Sequence, residues 1–292
     1  MNLVPLIQTI SKRTIVLSLI LLPTLSMGNS TQTKNNATKD TKLTFDSTQS
    51  WGTHEKHFLE TWKSKYVPKE MFESVAKAMT PPPALGSKEA AEEASYLLAL
   101  QNLRSEKSEN IIVREMHVCG FHIGNYRLGL NPKLDNLVLE AYFDSRLWGF
   151  MGKHRWNRVR PSFIISELKP NIANPPHPAF PSNHTFQALV VANVLSQLWP
   201  ENANAYLQDA LEIGRNRELA GVHYPSDTRA SIILAHHFGK VLAKNKAFKK
   251  ALAQIDKTKF SPRVPGDRDN KDVAKCMDYA LEWANKRGVF KK

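Results

Sequence analysis

The stretch HPAFPSNHTFQALVVANVLSQL, residues 177–198, places a proline, a serine and a histidine directly before a long apolar run. Large apolar residues recur in that run at helical spacing, namely Phe186, Leu189, Val190, Val194, Leu195 and Leu198. The spacing predicts a helix over 184–198 with one apolar face in the core. The first turn of a helix carries unpaired N–H groups and a partial positive charge. Ser182 and His184 are therefore expected to face an anion.

The helical pattern continues on both sides of this run. Strong helix formers or apolar residues at helical spacing occupy residues 87–107, 134–156, 201–219 and 226–245, and two charged segments follow them. No series of alternating apolar and polar residues indicates strands, and no internal repeat occurs. We therefore predict an all-α fold, a single helical-bundle domain with its ligand groups at helix ends and in loops.

The chain begins with the features of a secretory leader. Lys12 and Arg13 precede an apolar run of residues 14–25, and small residues follow. This order predicts a signal peptide over residues 1–28 and a periplasmic or secreted protein. An uncleaved membrane anchor is the alternative, although the run is shorter than the ~20 residues that a span needs. The polar residues 29–50 predict a flexible linker, and residues 51–292 the folded domain, in which we expect no spanning segment.

The chain has a strongly basic composition. Its formal charge is +13, and loss of Lys12 and Arg13 with the leader leaves +11. Such a surface attracts nucleic acids, acidic membranes or phosphorylated small molecules, and charge alone does not choose among them. No helix-turn-helix, zinc-finger or aromatic-basic signature is present, so we expect no nucleic-acid partner.

The segment HVCGFH, residues 117–122, superficially resembles a metal site. The spacing of His117, Cys119 and His122 matches no common zinc pattern, so we predict no metal there and no cofactor in the protein. Cys119 and Cys276 are the only cysteines of the chain. They could pair in an oxidising compartment, but the sequence does not fix their distance and leaves a disulfide open.

Three further clusters carry residues suited to phosphate chemistry. They are KHRWNRVRP (153–161), PSNH (181–184) and RELAGVHYPSD (217–227). A transferred phosphoryl group spreads its charge over three equatorial oxygens, with the nucleophile and leaving oxygen in line. Without a metal, fixed cations must hold those oxygens, and Lys153, Arg160 and Arg217 can supply them. Ser182 and the helix start that follows it add neutral donors.

Two histidines are suited to the two axial positions. His223 can attack as a neutral imidazole, because Asp227, four residues later, can fix its tautomer and stabilise the cation that forms. His184, at the anion-facing helix start, can protonate the leaving alkoxide. Neutral His223 and protonated His184 together predict a bell-shaped rate profile on the acidic side of neutrality.

The ordered patterns K-x6-R-P, P-S-x-H and R-x5-H-x3-D resemble those of the type 2 phosphatidic acid phosphatase and vanadium haloperoxidase superfamily. With PPPALGS (81–87) and NKAFKKALAQ (245–254), the resemblance is closest to the class A bacterial nonspecific acid phosphatases and covers roughly residues 80–256. It implies an all-helical, secreted, metal-independent acid phosphatase that hydrolyses phosphate monoesters through a phosphohistidine and is inhibited by vanadate or phosphate. A homo-oligomer is left open.

The resemblance also assigns roles by position. His223 is similar to the family's nucleophile, Asp227 to its partner and His184 to the general acid. The phosphate ligands it implies are Lys153, Arg160, Ser182, the backbone of Asn183, and Arg217. Two residues depart from the family pattern, since Asn183 replaces the usual glycine and Asn216 the usual serine. We expect these departures to affect substrate range more than reaction class.

Three alternatives remain at this point. A vanadate-dependent haloperoxidase would use the same residues to hold vanadate, but PPPALGS favours the phosphatase. A lipid phosphate phosphatase would have to reach its substrate from the aqueous side. A non-enzymatic anion-binding or nucleic-acid-binding protein would use the basic surface and would be indifferent to loss of His223.

Overall fold

The fold is known from a computed structural model that describes residues 43–121, 123–124, 126–129, 131–259 and 273–289. The predicted signal peptide, residues 29–42 of the predicted linker, and His122 lie outside these residues. Within the described part of the chain the regular structure is entirely helical, which confirms the all-α prediction. Its α-helices are α1 (Thr53–Thr61), α2 (Phe72–Ala78), α3 (Lys88–Gln101), α4 (Glu106–Arg114), α5 (Pro132–Trp156), α6 (Asn183–Leu198), α7 (Ala203–Leu219), α8 (Pro225–Leu242), α9 (Lys246–Leu252) and α10 (Val273–Lys286).

The helix that contains the apolar run, α6, is the centre of the fold. It packs against α5, α7 and α8, and residues on every side of it are buried, including Thr185, Ala188 and Val191 outside the predicted apolar face. A helix that neighbours cover on several sides is buried all round, which a one-face pattern does not anticipate. Because α6 is central, its N-terminus lies beside the ends of the helices that surround it.

The ends of α5 are set by local sequence. Asn131 caps the first turn by accepting a hydrogen bond from the Leu134 amide at 3.2 Å, and Pro132 fits the first helical position. The helix ends at Asn157, which adopts the left-handed conformation with φ 46°. This turn redirects the chain, so that Lys153 in the last helical turn and Arg160 beyond it approach the same region.

The segment predicted as one helix over 87–107 is two helices. Ser105 caps α4, because its hydroxyl accepts from the Ser108 amide at 3.3 Å and its own amide donates to the Ser108 hydroxyl at 2.9 Å. These reciprocal bonds stop the continuation of α3 and start a new helix. The folded domain was predicted to start at Trp51. Phe45, six residues earlier, is already fully buried, and its amide donates to the Asn157 carbonyl at 2.9 Å.

A disulfide joins Cys119 to Cys276, with the two Cα atoms 5.9 Å apart. This answers the pairing question that the sequence left open. The Cys119 sulfur of the HVCGFH segment is part of a covalent bond and is not a free thiol. The bond ties the chain after α4 to helix α10.

Among the described helices, none has both the length and the apolar composition required to cross a membrane.

Candidate active site

Lys153 lies in the last turn of α5 and is fully buried. Its Nζ donates to the carbonyl oxygens of Pro178 at 2.7 Å, Ala179 at 3.0 Å and Pro181 at 2.5 Å. Burial, followed by the neighbouring charge of Arg160, lowers the Lys153 pKa well below its usual value. The ammonium therefore orders the loop that leads into α6, and contact with a phosphate would require exchange of one of these bonds.

Ser182 occupies the N-cap position of α6, fully buried, but its side chain makes no capping bond. Its hydroxyl oxygen instead accepts from the Thr185 hydroxyl at 2.9 Å, which leaves the Ser182 proton available to a second acceptor. The Ser182 amide donates to the Asp227 carbonyl at 3.2 Å, and Ser231 donates to the Ser182 carbonyl at 2.7 Å. These bonds hold the start of α6 against the first turns of α8.

Arg160 is fully buried and is held by His177, which lies outside the motifs, and by groups of the third motif. Its Nε and Nη2 donate to the His177 carbonyl at 3.1 and 2.9 Å, and Nη2 lies 3.0 Å from His177 Nδ1. Nη1 donates to the Val222 carbonyl at 2.7 Å and lies 3.1 Å from His223 Nε2. Burial lowers the Arg160 pKa to about 10, so the guanidinium remains charged at neutral pH.

His223 and Asp227 form the predicted pair at the start of α8. His223 Nδ1 lies 2.9 Å from Asp227 Oδ2, which also accepts from the Tyr224 amide at 3.0 Å. A carboxylate accepts only, so Nδ1 carries the proton and the Nε2 lone pair faces Arg160. Burial, followed by the charges of Arg160 and Lys153, lowers the His223 pKa well below its usual value. The imidazole is therefore neutral, as a nucleophile must be.

Arg217, near the end of α7, is fully buried, and one nitrogen of its guanidinium is held. Nη2 donates to the Ile112 carbonyl at 2.8 Å and to Glu115 Oε2 at 3.1 Å. Nε and Nη1 are buried and have no hydrogen-bond partner among the described residues. Buried donors are normally satisfied, so the free N–H groups of Nε and Nη1 indicate a ligand with acceptor oxygens.

His184 follows in the first turn of α6. Its Nε2 lies 3.1 Å from the Met116 carbonyl, to which it donates, and its ring lies 6.0 Å from the ring of Phe121. Burial, followed by the charge of Arg217, lowers the His184 pKa to about 3. The unliganded site therefore holds this imidazole in its neutral form, whereas the predicted general acid is protonated.

The two asparagines that depart from the family pattern contact protein groups. The side chain of Asn183 is buried against Gly149 of α5, where its amide atoms have no partner among the described residues. The Asn216 amide donates to both carboxylate oxygens of Glu115 at 3.0 Å. Asn183 thus packs against α5, and Asn216 supports the ion pair of Glu115 with Arg217.

Arg158 lies within the first motif segment, where a surface or packing role was the favoured interpretation, and the structure places it behind the histidine pair. Its Nη1 donates to Asp227 Oδ1 at 2.6 Å and to Ser226 Oγ at 2.7 Å, and Nη2 donates to Glu93 at 2.8 Å. Although burial lowers the Arg158 pKa, the carboxylates of Asp227 and Glu93 raise it above its usual value. Its position two residues before Arg160 was the available signal, because alternate residues in an extended segment lie on the same side.

His177 and Glu115 also support the site; a packing role was the favoured interpretation for His177, beside the motifs, and Glu115 was missed. Each contacts an arginine that is distant in sequence: His177 contacts Arg160, and Glu115 contacts Arg217. No local sequence pattern predicts contacts of this kind. Their effect is to fix two guanidinium groups in buried surroundings.

The assembled side chains suit an oxyanion. The charges of Arg160, Lys153 and Arg217 all act on His223, as does His184, so the structure brings the three predicted cations and both histidines into one region. In the described part of the chain, no group of three or more His, Cys, Asp or Glu side chains is arranged to hold a metal ion. The cationic composition matches a phosphate-like ligand.

Comparison with known proteins finds similarity in the part of the chain that contains these side chains. The sequence profile of the PAP2 superfamily matches residues 137–250. A non-specific acid phosphatase of Providencia stuartii is 31% identical over 104 residues, covering 34% of this chain and 42% of the relative. An acid phosphatase of Zymomonas mobilis is 29% identical over 145 residues, covering 47% of this chain and 54% of the relative.

Among solved structures, a bacterial vanadium-dependent iodoperoxidase superposes with a TM-score of 0.44 and 17% identity, covering 56% of this chain and 52% of that one. The chain spans about half of the length of the two curated relatives that it matches. The profile match contains every predicted site residue, from Lys153 to Asp227. Residues 137–250 are therefore a PAP2 superfamily domain.

Proposed function

We propose that the protein is a metal-independent acid phosphatase that hydrolyses phosphate monoesters through a phosphohistidine at His223. The observation that carries the proposal is the state of this side chain, a buried neutral imidazole whose Nε2 lone pair is directed among fixed cations. The similarity to acid phosphatases supports the reaction class.

Substrate binding uses the free N–H groups of Arg217. Its Nε and Nη1 donate to phosphate oxygens of the substrate. The Ser182 hydroxyl and the backbone N–H groups of Asn183 and His184 donate at the start of α6. Arg160 Nη1, now 3.1 Å from His223 Nε2, transfers its hydrogen bond to a phosphate oxygen and so releases the attacking lone pair.

The first chemical step forms the Nε2–P bond of His223 and breaks the P–O bond to the leaving group. The electron pair of the broken bond goes to the leaving oxygen, which takes a proton from His184. Asp227 stabilises the positive charge that develops on His223. In the second step, water gives a proton to His184 and attacks phosphorus, and the Nε2–P bond breaks to release inorganic phosphate and neutral His223.

His184 must gain its proton when the substrate binds, because the empty site keeps this imidazole neutral with a pKa of about 3. A phosphate monoester has its second pKa near 6, so its monoanion prevails in mild acid. Entry of that anion opposes the effect of Arg217 and raises the pKa of His184, which then takes the proton. This order of events favours an optimum of activity at acidic pH.

We propose a periplasmic or secreted location. The Cys119–Cys276 disulfide supports it, because disulfides persist in oxidising compartments. The amino-terminal leader, which lies outside the described residues, supports it by composition. The substrates proposed are small phosphate monoesters, with inorganic phosphate and vanadate as inhibitors that occupy the same donors.

Hydrolysis of p-nitrophenyl phosphate at pH 5–6 in EDTA tests the proposal. Wild type, His223→Ala and His184→Ala are compared with His237→Ala, a histidine on α8 outside the site. We expect EDTA-resistant turnover that the first two substitutions abolish and the control retains. Turnover that EDTA removes, or that His223→Ala retains, would contradict the proposal, and halide oxidation by peroxide after addition of vanadate would indicate a haloperoxidase.

A further inference from the structure

One short segment contacts both Arg217 and His184. We call residues 112–121 the strap, since they run from the last turn of α4 through a short 3₁₀ turn to Phe121. The Ile112 carbonyl and the Glu115 carboxylate accept from Arg217 Nη2 at 2.8 and 3.1 Å. The Met116 carbonyl lies 3.1 Å from His184 Nε2. The strap therefore contacts two groups on which the proposed chemistry depends.

Glu115 is the charged side chain of this arrangement. It is 5% exposed, and both of its oxygens accept from the Asn216 amide at 3.0 Å. Burial raises its pKa, and the charge of Arg217 opposes this rise. A carboxylate placed this close to a phosphate-binding cation weakens simple attraction of an anion, so its benefit must lie in orientation.

The geometry shows what is oriented. Glu115 and Ile112 both engage Nη2, whereas Nε and Nη1 of the same guanidinium have no partner among the described residues. A planar guanidinium held at Nη2 presents its Nε–H and Nη1–H groups in fixed directions. Positioning before binding removes an entropic cost from the step that needs it.

We propose that Glu115 is the positioning residue of the site, holding Arg217 at Nη2 with the help of Asn216 so that the free Nε and Nη1 N–H groups meet the phosphate. The inference rests on the proposed function and deepens it. Asn216, one of the two residues that depart from the family pattern, serves this contact: its amide presents two N–H groups and bonds to both carboxylate oxygens.

The test compares Glu115→Ala, Glu115→Gln and Asn216→Ala with Glu106→Ala, an exposed carboxylate at the start of α4, the helix that ends just before Glu115. Each variant is assayed with p-nitrophenyl phosphate well below its melting temperature, and vanadate and inorganic phosphate inhibition constants are measured. We expect Glu115→Ala to lower kcat/KM by roughly 10- to 100-fold and to weaken vanadate inhibition more than phosphate inhibition. Glu115→Gln, which keeps an acceptor oxygen, should recover activity to within about threefold of wild type.

A residue that only stabilises the fold would lower the melting temperature and leave these constants unchanged. Values for Glu115→Ala within twofold of wild type, or no recovery by Glu115→Gln, would therefore overturn the inference. If Glu115→Ala does not fold, Asn216→Ala decides in the same way, with a smaller loss expected. A wild-type protein without turnover would instead refute the proposed function, so the two failures are distinguishable.

Discussion

Arg158 Nη1 lies 2.6 Å from Asp227 Oδ1, on the oxygen that His223 does not use. The guanidinium also stacks on Tyr224, 3.7 Å from its ring centroid, and is 10% exposed. The carboxylate that fixes the imidazole is thus itself fixed from behind. A buried pair of this kind is costly to break, because the remaining carboxylate loses its partner.

Replacement of Arg158 should therefore impair the chemical step. We expect Arg158→Ala to lower kcat by roughly 10- to 100-fold with a smaller change in KM, since misorientation of the imidazole affects attack more than binding. Steady-state kinetics test this, with Arg155→Ala as the control, because Arg155 forms an exposed pair with Glu73. Equal losses in the two variants would argue against a specific role for Arg158.

The contact of Asn183 with Gly149 predicts a coupled pair of substitutions. A Cβ on Gly149 would overlap the Asn183 side-chain amide, so Gly149→Ala should lower the free energy of unfolding by about 1–3 kcal/mol. In an Asn183→Gly background the same change should stabilise the protein by up to about 1 kcal/mol, because alanine has the higher helix propensity. Urea denaturation of the four proteins gives the coupling, and additive effects would contradict the contact.

The pKa of His184 should depend on whether the site holds an anion. Burial and the charge of Arg217 lower it to about 3, and both effects favour the neutral imidazole. Bound phosphate favours the imidazolium and should raise the pKa by roughly one unit or more. Histidine NMR titrations from pH 2.5 to 8 with and without inorganic phosphate measure this shift, and comparison with His184→Gln assigns the His184 signals. A titration that phosphate leaves unchanged, or moves to lower pH, would contradict the proposed proton path.

The disulfide should contribute substantially to stability. Cys119 and Cys276 are 157 residues apart, so the bond restricts a long loop of the unfolded chain. The double variant Cys119→Ser, Cys276→Ser should lose about 2–5 kcal/mol of unfolding free energy. Denaturation of the oxidised wild type, the dithiothreitol-treated wild type and the double variant provides the measurement. Coincident unfolding curves for all three would show that the bond adds nothing.

Local pattern was sufficient for some of these features. The four-residue spacing of His223 and Asp227 at a helix start predicted their hydrogen bond, and the apolar run predicted α6 almost to its ends. Both depend on neighbours in sequence, which propensity and spacing describe. The three-motif resemblance identified the domain for the same reason, since each motif has fixed internal spacing.

The supporting contacts were beyond such patterns. Glu115 and Arg217 are 102 positions apart, and their pairing depends on how α4 approaches α7. Lys153 was predicted as a phosphate ligand, yet its three N–H groups meet loop carbonyls whose positions only the folded chain defines. Sequence thus predicted which groups lie together in the candidate site better than the tertiary contacts that orient them.

The covalent intermediate is the most direct test of the account. A phosphate monoester labelled with ³²P is mixed with enzyme and quenched in alkali, where a phosphorus–nitrogen bond survives, and the labelled peptide is identified. We predict label on His223 in the wild type and none in His223→Asn. Label on another residue, label retained by His223→Asn, or an unlabelled wild type during rapid turnover would contradict the assignment of His223 as the nucleophile.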